Sequence, residues 1–403
     1  MDDWESDIVP IQFETPEERQ LSFFCNASSA GDIATMQDML EKKLVEGVNQ
    51  QSPKKKETAL HYACREKNMD SIKFLVEKGA DVNIKDSRGR HCFHLSCIAG
   101  HLDAVIYLIS QGAKVDVVDR YNRSCLHWAA EKKFKEIVVA LLHAGAPLSY
   151  ELSGKWQPIH AAVKGGNDEI LQLLLDQEPL KSYQTPNSNT PLHVAARDNQ
   201  VKCLMLLLKR KYLVNAVNKG KKTPLHEAAF SGSKECCRQL IIYGADPHAK
   251  DDREMTPLLE ASQQGHLSCV ILLLDAGSLV NHSDYTGTTA LHYILRNKKE
   301  SLSNKELAFF TDILLQYGAH SNKKDADGKT PVFVANMLHQ QEVLDVIHAS
   351  YEKPLTLQHF AKIVVRKILR CNYEALNNYH ISFNLKVFIL EDSSYFHVQK
   401  SSD

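Results

Sequence analysis

Apolar residues recur along this chain in short bursts at helical spacing, and most bursts end in Gly-Ala. FLVEKGADVN, YLISQGAKVD, ALLHAGAPLS, QLIIYGADPH and ILLQYGAHSN are the clearest. Apolar positions at i, i+3 and i+4 predict the buried stripe of a short helix. The glycine that follows suits a left-handed helix end. Upstream of each burst stands a second pattern, cleanest as TPLHVAA from Thr190 and TPLHEAA from Thr223. Pro191, Pro224 and Pro257 fall in its first turn, where a missing N–H costs nothing. Together the two patterns predict two short helices and an extended finger. One such unit cannot bury both its faces, so units must stack.

The unit recurs on a 33-residue lattice, as TALHYAC at Thr58, HCFHLSC at His91, SCLHWAA at Ser124, QPIHAAV at Gln157, TPLLEAS at Thr256 and TALHYIL at Thr289. Its histidine returns at His61, His94, His127, His160, His193, His226 and His292, with Leu259 in its place once. These residues resemble the ankyrin repeat, whose pattern is T-P-L-H-x-A-A followed by L-L-x-x-G-A. The resemblance covers residues 20–348. It implies an all-α ankyrin-repeat solenoid of about ten helix-turn-helix repeats. A degenerate first unit is visible in FFCNASSAGDIATMQDML, and a last one starts at Thr330. Gly-Ala gives way to Glu178-Pro179 and then to Lys211-Tyr212. Between His292 and Phe333 the step lengthens, and the excess lies around NKKESLSN. Ser303 followed by Glu306 reads as a capping box that restarts the second helix there.

With 403 residues the chain exceeds what one compact core of ~250–300 residues can hold, which again favours an array. A net charge of −1 gives no bulk reason to expect nucleic acid or a membrane as partner. The ten cysteines are scattered without a C-x-x-C pair, against a zinc site or a disulfide framework. Reduced thiols predict a cytoplasmic or nuclear protein. Residues 1–19 are acidic, lack an apolar signal core and are expected to be disordered. No run of ~18 apolar residues spans a membrane.

Seven of the nineteen histidines occupy the same repeat position, which makes them structural hydrogen-bonding groups rather than metal ligands or acid–base catalysts. No phosphate-binding loop, nucleophile elbow, H-E-x-x-H or kinase signature occurs. The sequence therefore predicts a non-enzyme that uses no cofactor or metal and works by binding. In a solenoid the fingers and first helices line the binding face. The variable positions there include Tyr62, Arg90, Arg123, Trp128 and Trp156, and arginine with aromatic residues is the usual anchor set of protein interfaces. They are the expected contacts to an unidentified protein substrate. The bland alternative is polar fingers with half-buried packing tryptophans.

After residue 349 the repeat grammar stops. Leu357, Phe360, Ala361, Val364, Val365, Ile368 and Leu369 form an apolar stripe opposite Lys362, Arg366, Lys367 and Arg370, which predicts an amphipathic helix. Leu385 to Leu390 predicts a second. The segment 349–391 resembles the SOCS box of the ankyrin-repeat and SOCS-box family. Thr356, Leu357, Ala361 and Val365 match the start of that box, and Leu385, Phe388 and Leu390 match its second half. His380 and Ser382 stand where the family has a proline pair. The resemblance implies that the first group docks elongin C and the second meets a cullin. Residues 392–403 form a tail. The implied function is the substrate-recognition adaptor of an elongin B/C–cullin–RING ubiquitin ligase, with a plain ankyrin scaffold or inhibitor as the alternative and a helical cap as the alternative role of the box. LVEKGADVN also resembles the sequence that ankyrin proteins present to the asparaginyl hydroxylase. Leu75, Asp81 and Val82 would serve it, and Asn83 would be hydroxylated. The alternative is that Asn83 shapes its turn.

Overall fold

The computed structural model describes residues 15–148, 156–177, 185, 187–297 and 303–352. They contain twenty helices in ten pairs and no strand beyond isolated antiparallel bridges such as Lys85 with His91. The chain divides into two compact units, 1–181 and 182–403. In the first unit the pairs are α1 (Pro16–Ala30) with α2 (Ile33–Glu41), α3 (Ala59–Arg65) with α4 (Met69–Glu77), α5 (Cys92–Ala99) with α6 (Leu102–Ser110), α7 (Cys125–Glu131) with α8 (Lys135–His143), and α9 (Pro158–Gly165) with α10 (Asp168–Gln177). The second unit repeats the scheme with α11 (Pro191–Arg197) and α12 (Val201–Lys209), α13 (Pro224–Ser231) and α14 (Lys234–Ile242), α15 (Pro257–Gln264) and α16 (Leu267–Asp275), α17 (Ala290–Leu295) and α18 (Asn304–Gln316), and α19 (Pro331–Met337) and α20 (Gln341–Glu352).

Helices this short are marginal alone and depend on packing. Within the first unit α1, α3, α5, α7 and α9 stack as one layer, and α2, α4, α6, α8 and α10 as a second. In the second unit α11, α13, α15, α17 and α19 form the first layer. The lattice leucines and alanines fill the space between layers: Leu60, Leu126, Leu192, Leu225 and Leu291 are at most 1% exposed. The nine described cysteines are all buried and none is in a disulfide, and burial pushes the thiols of Cys25 and Cys236 up to about 12.

Four details refine or bear out the sequence reading. The first helix opens at Pro16, inside the segment expected to be disordered. Thr15 and Glu18 form a capping box there, with Thr15 N–H donating to Glu18 at 3.0 Å and Glu18 N–H to Thr15 Oγ1 at 3.2 Å. Lys211 takes the left-handed conformation, φ 61°, that glycine takes at the same position in other repeats, as at Gly244 with φ 88°. Ser303 and Glu306 do cap α18, with Ser303 N–H 2.8 Å from the carboxylate. The last described helix runs to Glu352 and so crosses the expected boundary at residue 348.

Candidate functional site

Several described fingers turn on an acidic or amide side chain. Asp86 Oδ1 accepts the backbone N–H of Arg88 at 2.9 Å and of Arg90 at 2.7 Å. Asp119 does the same for Tyr121 and Arg123, at 2.8 and 2.9 Å. Both carboxylates are buried. The finger then runs into the helix N-cap, and the residue just before the cap is 57, 90, 123 or 156 in the first unit.

At residues 90 and 156 the repeat histidine holds that residue in place. In His61 and His127, Nδ1 accepts the N-cap backbone N–H at 3.1 and 3.0 Å, so the proton sits on Nε2. His61 Nε2–H donates to the Arg90 carbonyl at 3.2 Å, and His127 Nε2–H to the Trp156 carbonyl at 2.8 Å. The same bridge joins His193 to Lys222, His226 to Met255 and His292 to Lys329, at 2.9 to 3.1 Å. Burial holds the His127, His193 and His226 imidazoles neutral, down to about 4. These histidines serve as struts.

The expected contact residues all lie on the finger and first-helix side of the first unit, but they are not equally available. Arg90 is held inside the structure: it pairs with Asp86 at 2.7 Å and with buried Glu57 at 3.7 Å, and its side chain is only 12% exposed. Arg65 also pairs with Glu57 and covers the Tyr62 ring at 5.2 Å. Burial, with Glu57 adding to it, pushes the half-buried Tyr62 phenol up to about 12. Arg123 lies over the Trp128 ring at 4.6 Å and pairs with Glu131 at 3.1 Å. Trp128 Nε1–H reaches Asp119 Oδ2 at 3.3 Å. Trp156 is half-buried and tilted on His160, with ring centroids 5.3 Å apart, and its buried indole N–H has no hydrogen-bond partner among the described residues. Trp128, Arg123 and Trp156 are therefore partly exposed on this side, while Arg90 and Glu57 are drawn inward.

Asn83 bridges two repeats: its Nδ2–H donates to the Gly112 carbonyl at 3.3 Å, and its Oδ1 accepts Lys114 N–H at 3.2 Å. Leu75 and Val82 are buried, and Asp81 is exposed. Thr356, Leu357, Ala361, Val365, Leu385, Phe388 and Leu390 lie outside the described residues. Among the described residues no three His, Cys, Asp or Glu side chains gather as a metal site, and no helix is long and apolar enough to cross a membrane.

Family models described as ankyrin repeats match residues 60–109 and 97–142 in one form, and residues 126–218, 159–251 and 225–304 in another. Together they cover more than half of the chain. The chain belongs to the ankyrin-repeat proteins. Its repeats are similar to the solved human ASB11 ankyrin repeat domain, at 28% identity and a TM-score of 0.50 over 54% of this chain and 98% of that one. Shorter stretches resemble two yeast proteins named palmitoyltransferase AKR1. The Kluyveromyces lactis protein is 36% identical over 59 residues and the Saccharomyces cerevisiae protein 35% over 72. These stretches are 15% and 18% of this chain, and only 8% and 9% of the two relatives. What is shared with ASB11 is an ankyrin-repeat scaffold, which suggests a protein-binding role.

Proposed function

We propose that this ankyrin-repeat protein is the substrate-recognition subunit of an elongin B/C–cullin–RING ubiquitin ligase, acting in the cytoplasm or nucleus without catalysis of its own. The observation that carries this reading is the wording Thr356-Leu357-x-x-x-Ala361-x-x-x-Val365 directly after the last repeat. The likeness to the ASB11 ankyrin domain supports the recognition half. The ankyrin face would hold a protein substrate through Tyr62, Trp128, Arg123 and Trp156. Leu357 and Ala361 would seat the chain on elongin C, and Leu385, Phe388 and Leu390 would face the cullin. Ubiquitin transfer would fall to other subunits. The contribution of this chain is proximity, which raises the effective concentration of a substrate lysine at the loaded conjugating enzyme.

Co-expression with elongin B/C tests this. Burying a leucine in a partner's pocket is worth ~2–5 kcal/mol, so Leu357→Asp with Ala361→Asp should lower elongin recovery at least ~tenfold. Equal recovery from a folded variant would leave a plain ankyrin scaffold.

A further inference from the structure

Three described finger tips of the first unit are basic and carry no ion pair among the described residues. Lys54, Lys55 and Lys56 form the tip between α2 and α3, Arg88 the next, and Arg120 the third; all are exposed, as is Lys85 beside them. The tips are laced together through backbone. Ser87 N–H donates to the Lys55 carbonyl at 2.8 Å, and Arg120 N–H to the Arg88 carbonyl at 2.9 Å. The cations therefore follow one another along a fixed ridge. The finger carboxylates cannot neutralise them, because Asp86 and Asp119 are turned inward onto turn N–H groups, Arg90 and Trp128. None of these six cations forms an ion pair among the described residues. Tyr121, 65% exposed, stands at the end of the ridge under the Arg120 guanidinium, 5.6 Å from its ring.

The second unit uses the same backbone lacing, with Lys219 N–H on the Asn187 carbonyl at 3.0 Å and Asp252 N–H on Gly220 at 3.1 Å. Its tips nevertheless carry internal pairs: Lys221 with Asp252 at 3.3 Å, Lys250 with Glu254 at 2.7 Å, and Lys329 with Asp327 at 3.2 Å. Lacing thus does not require basic tips, and the second unit offsets part of its tip charge internally, as the three described tips of the first unit do not. We infer that the ridge Lys54–Lys56, Lys85, Arg88 and Arg120 binds an acidic peptide segment of the protein substrate. A protein suits the ridge better than single-stranded nucleic acid. Successive bases need successive aromatic platforms, and Tyr121 is the one exposed ring along the described ridge. The inference deepens the protein-binding reading of the repeats and does not depend on the C-terminal segment.

The test uses the full chain with a fluorescein-labelled oligo-glutamate peptide in fluorescence anisotropy. Lys54→Glu, Lys56→Glu, Arg88→Glu and Arg120→Glu together should weaken binding at least ~tenfold, and binding to the parent should fall as salt screens the ridge. Reversing Lys219 and Lys324, exposed in the second unit, should leave affinity within ~twofold. Unchanged thermal unfolding confirms that both variants fold. Equal peptide affinity in the ridge variant would overturn the inference. So would tighter binding of an oligouridylate of equal charge, or co-sedimentation of the parent but not the variant with phosphatidylserine vesicles. Elongin B/C capture by the ridge variant is the separating arm: it stays intact if only the ridge is affected, and its absence from parent and variant alike counts against the ligase reading.

Discussion

His127 in α7 donates its Nε2–H to the carbonyl of Trp156, 2.8 Å away in the following finger. Its other ring nitrogen accepts Ser124 N–H at 3.0 Å and lies 2.8 Å from the Ser124 hydroxyl. One neutral side chain therefore caps its own helix and sets where the next finger enters the next helix. Because Trp156 is a proposed contact residue, the strut that stabilises the stack also positions part of the binding face.

Replacing His127 with leucine, the residue already present at position 259, removes both roles. The buried Ser124 N–H loses its acceptor and the Trp156 carbonyl its donor. A buried donor left without a partner costs ~1–3 kcal/mol, and the second bond adds ~1 kcal/mol. Urea unfolding of His127→Leu should show a loss of ~2–4 kcal/mol. A midpoint within error of the parent would deny the strut its role.

Acid should weaken the stack through the same histidines. Their folded values, about 4 for His127, His193 and His226, lie below the ~6.5 of an unfolded histidine. The unfolded chain thus binds more protons between those limits, and stability falls as pH falls. The contribution is complete above pH ~6.5 and gone below pH ~4. Measured between pH 6.5 and 5.5, above the carboxylate range, the urea midpoint should drop steadily. A flat profile there would mean that the histidines keep their ordinary values in the fold.

The lattice was legible because each motif residue bonds within its own helix or to the repeat beside it, so identical local needs recur as identical letters. The charge pattern of the face was not. Glu57 and Arg90 meet across 33 positions of sequence. Nothing in RGRHCFH announces that Arg90 is drawn inward by Glu57 and Asp86 while Arg88 stays out. The tip Lys54–Lys56 was missed because its repeat lacks the Gly-Ala wording that marks a finger. The helix start at Pro16 had a readable signal, the Thr15-x-x-Glu18 box, inside a stretch whose acidity suggested disorder. Lys211 could be recognised as a glycine substitute only once its backbone was seen.

Arg90→Glu follows from that ion-pair geometry. A substrate contact at Arg90 would make charge reversal a matter of slower association. In the structure it places a third carboxylate beside buried Glu57 and Asp86. Removing the cation from a buried cluster costs ~3–5 kcal/mol, so Arg90→Glu should destabilise the chain. Arg88→Glu, on an exposed tip, should stay within ~0.5 kcal/mol. Thermal unfolding of the two variants side by side decides, and equal midpoints would show that Arg90 is free.

Lys211→Gly should stabilise. The left-handed conformation costs a residue with a β-carbon ~1 kcal/mol relative to glycine. The equivalent Gly79, Gly112 and Gly244 meet nothing within 4 Å of a built β-carbon, so crowding plays no part and the backbone angle alone sets the difference. A gain of ~0.5–1 kcal/mol in urea unfolding is expected. A loss would mean that the Lys211 side chain makes a contact worth more than the strain.

Asn83 is a proposed hydroxylation site whose reaction should be governed by local opening. Its side chain links the Gly112 carbonyl to the Lys114 N–H, and its own N–H bonds Asp81 at 2.8 Å. An enzyme that needs this stretch extended must first break all three. One repeat earlier Asn49 makes the corresponding bracket, to the Gly79 carbonyl at 3.2 Å and the Asp81 N–H at 2.8 Å. Asn49→Ala removes that bracket, releasing the Asp81 N–H while leaving Leu75, Asp81, Val82 and Asn83 unsubstituted, so the segment opens more often. With the asparaginyl hydroxylase present, mass spectrometry of the peptide around Asn83 should show one added oxygen, and Asn49→Ala should acquire it faster. If neither protein gains mass while a known ankyrin substrate in the same tube does, Asn83 is purely a structural bracket. Equal rates in the two would show that opening of this repeat is not what limits the reaction.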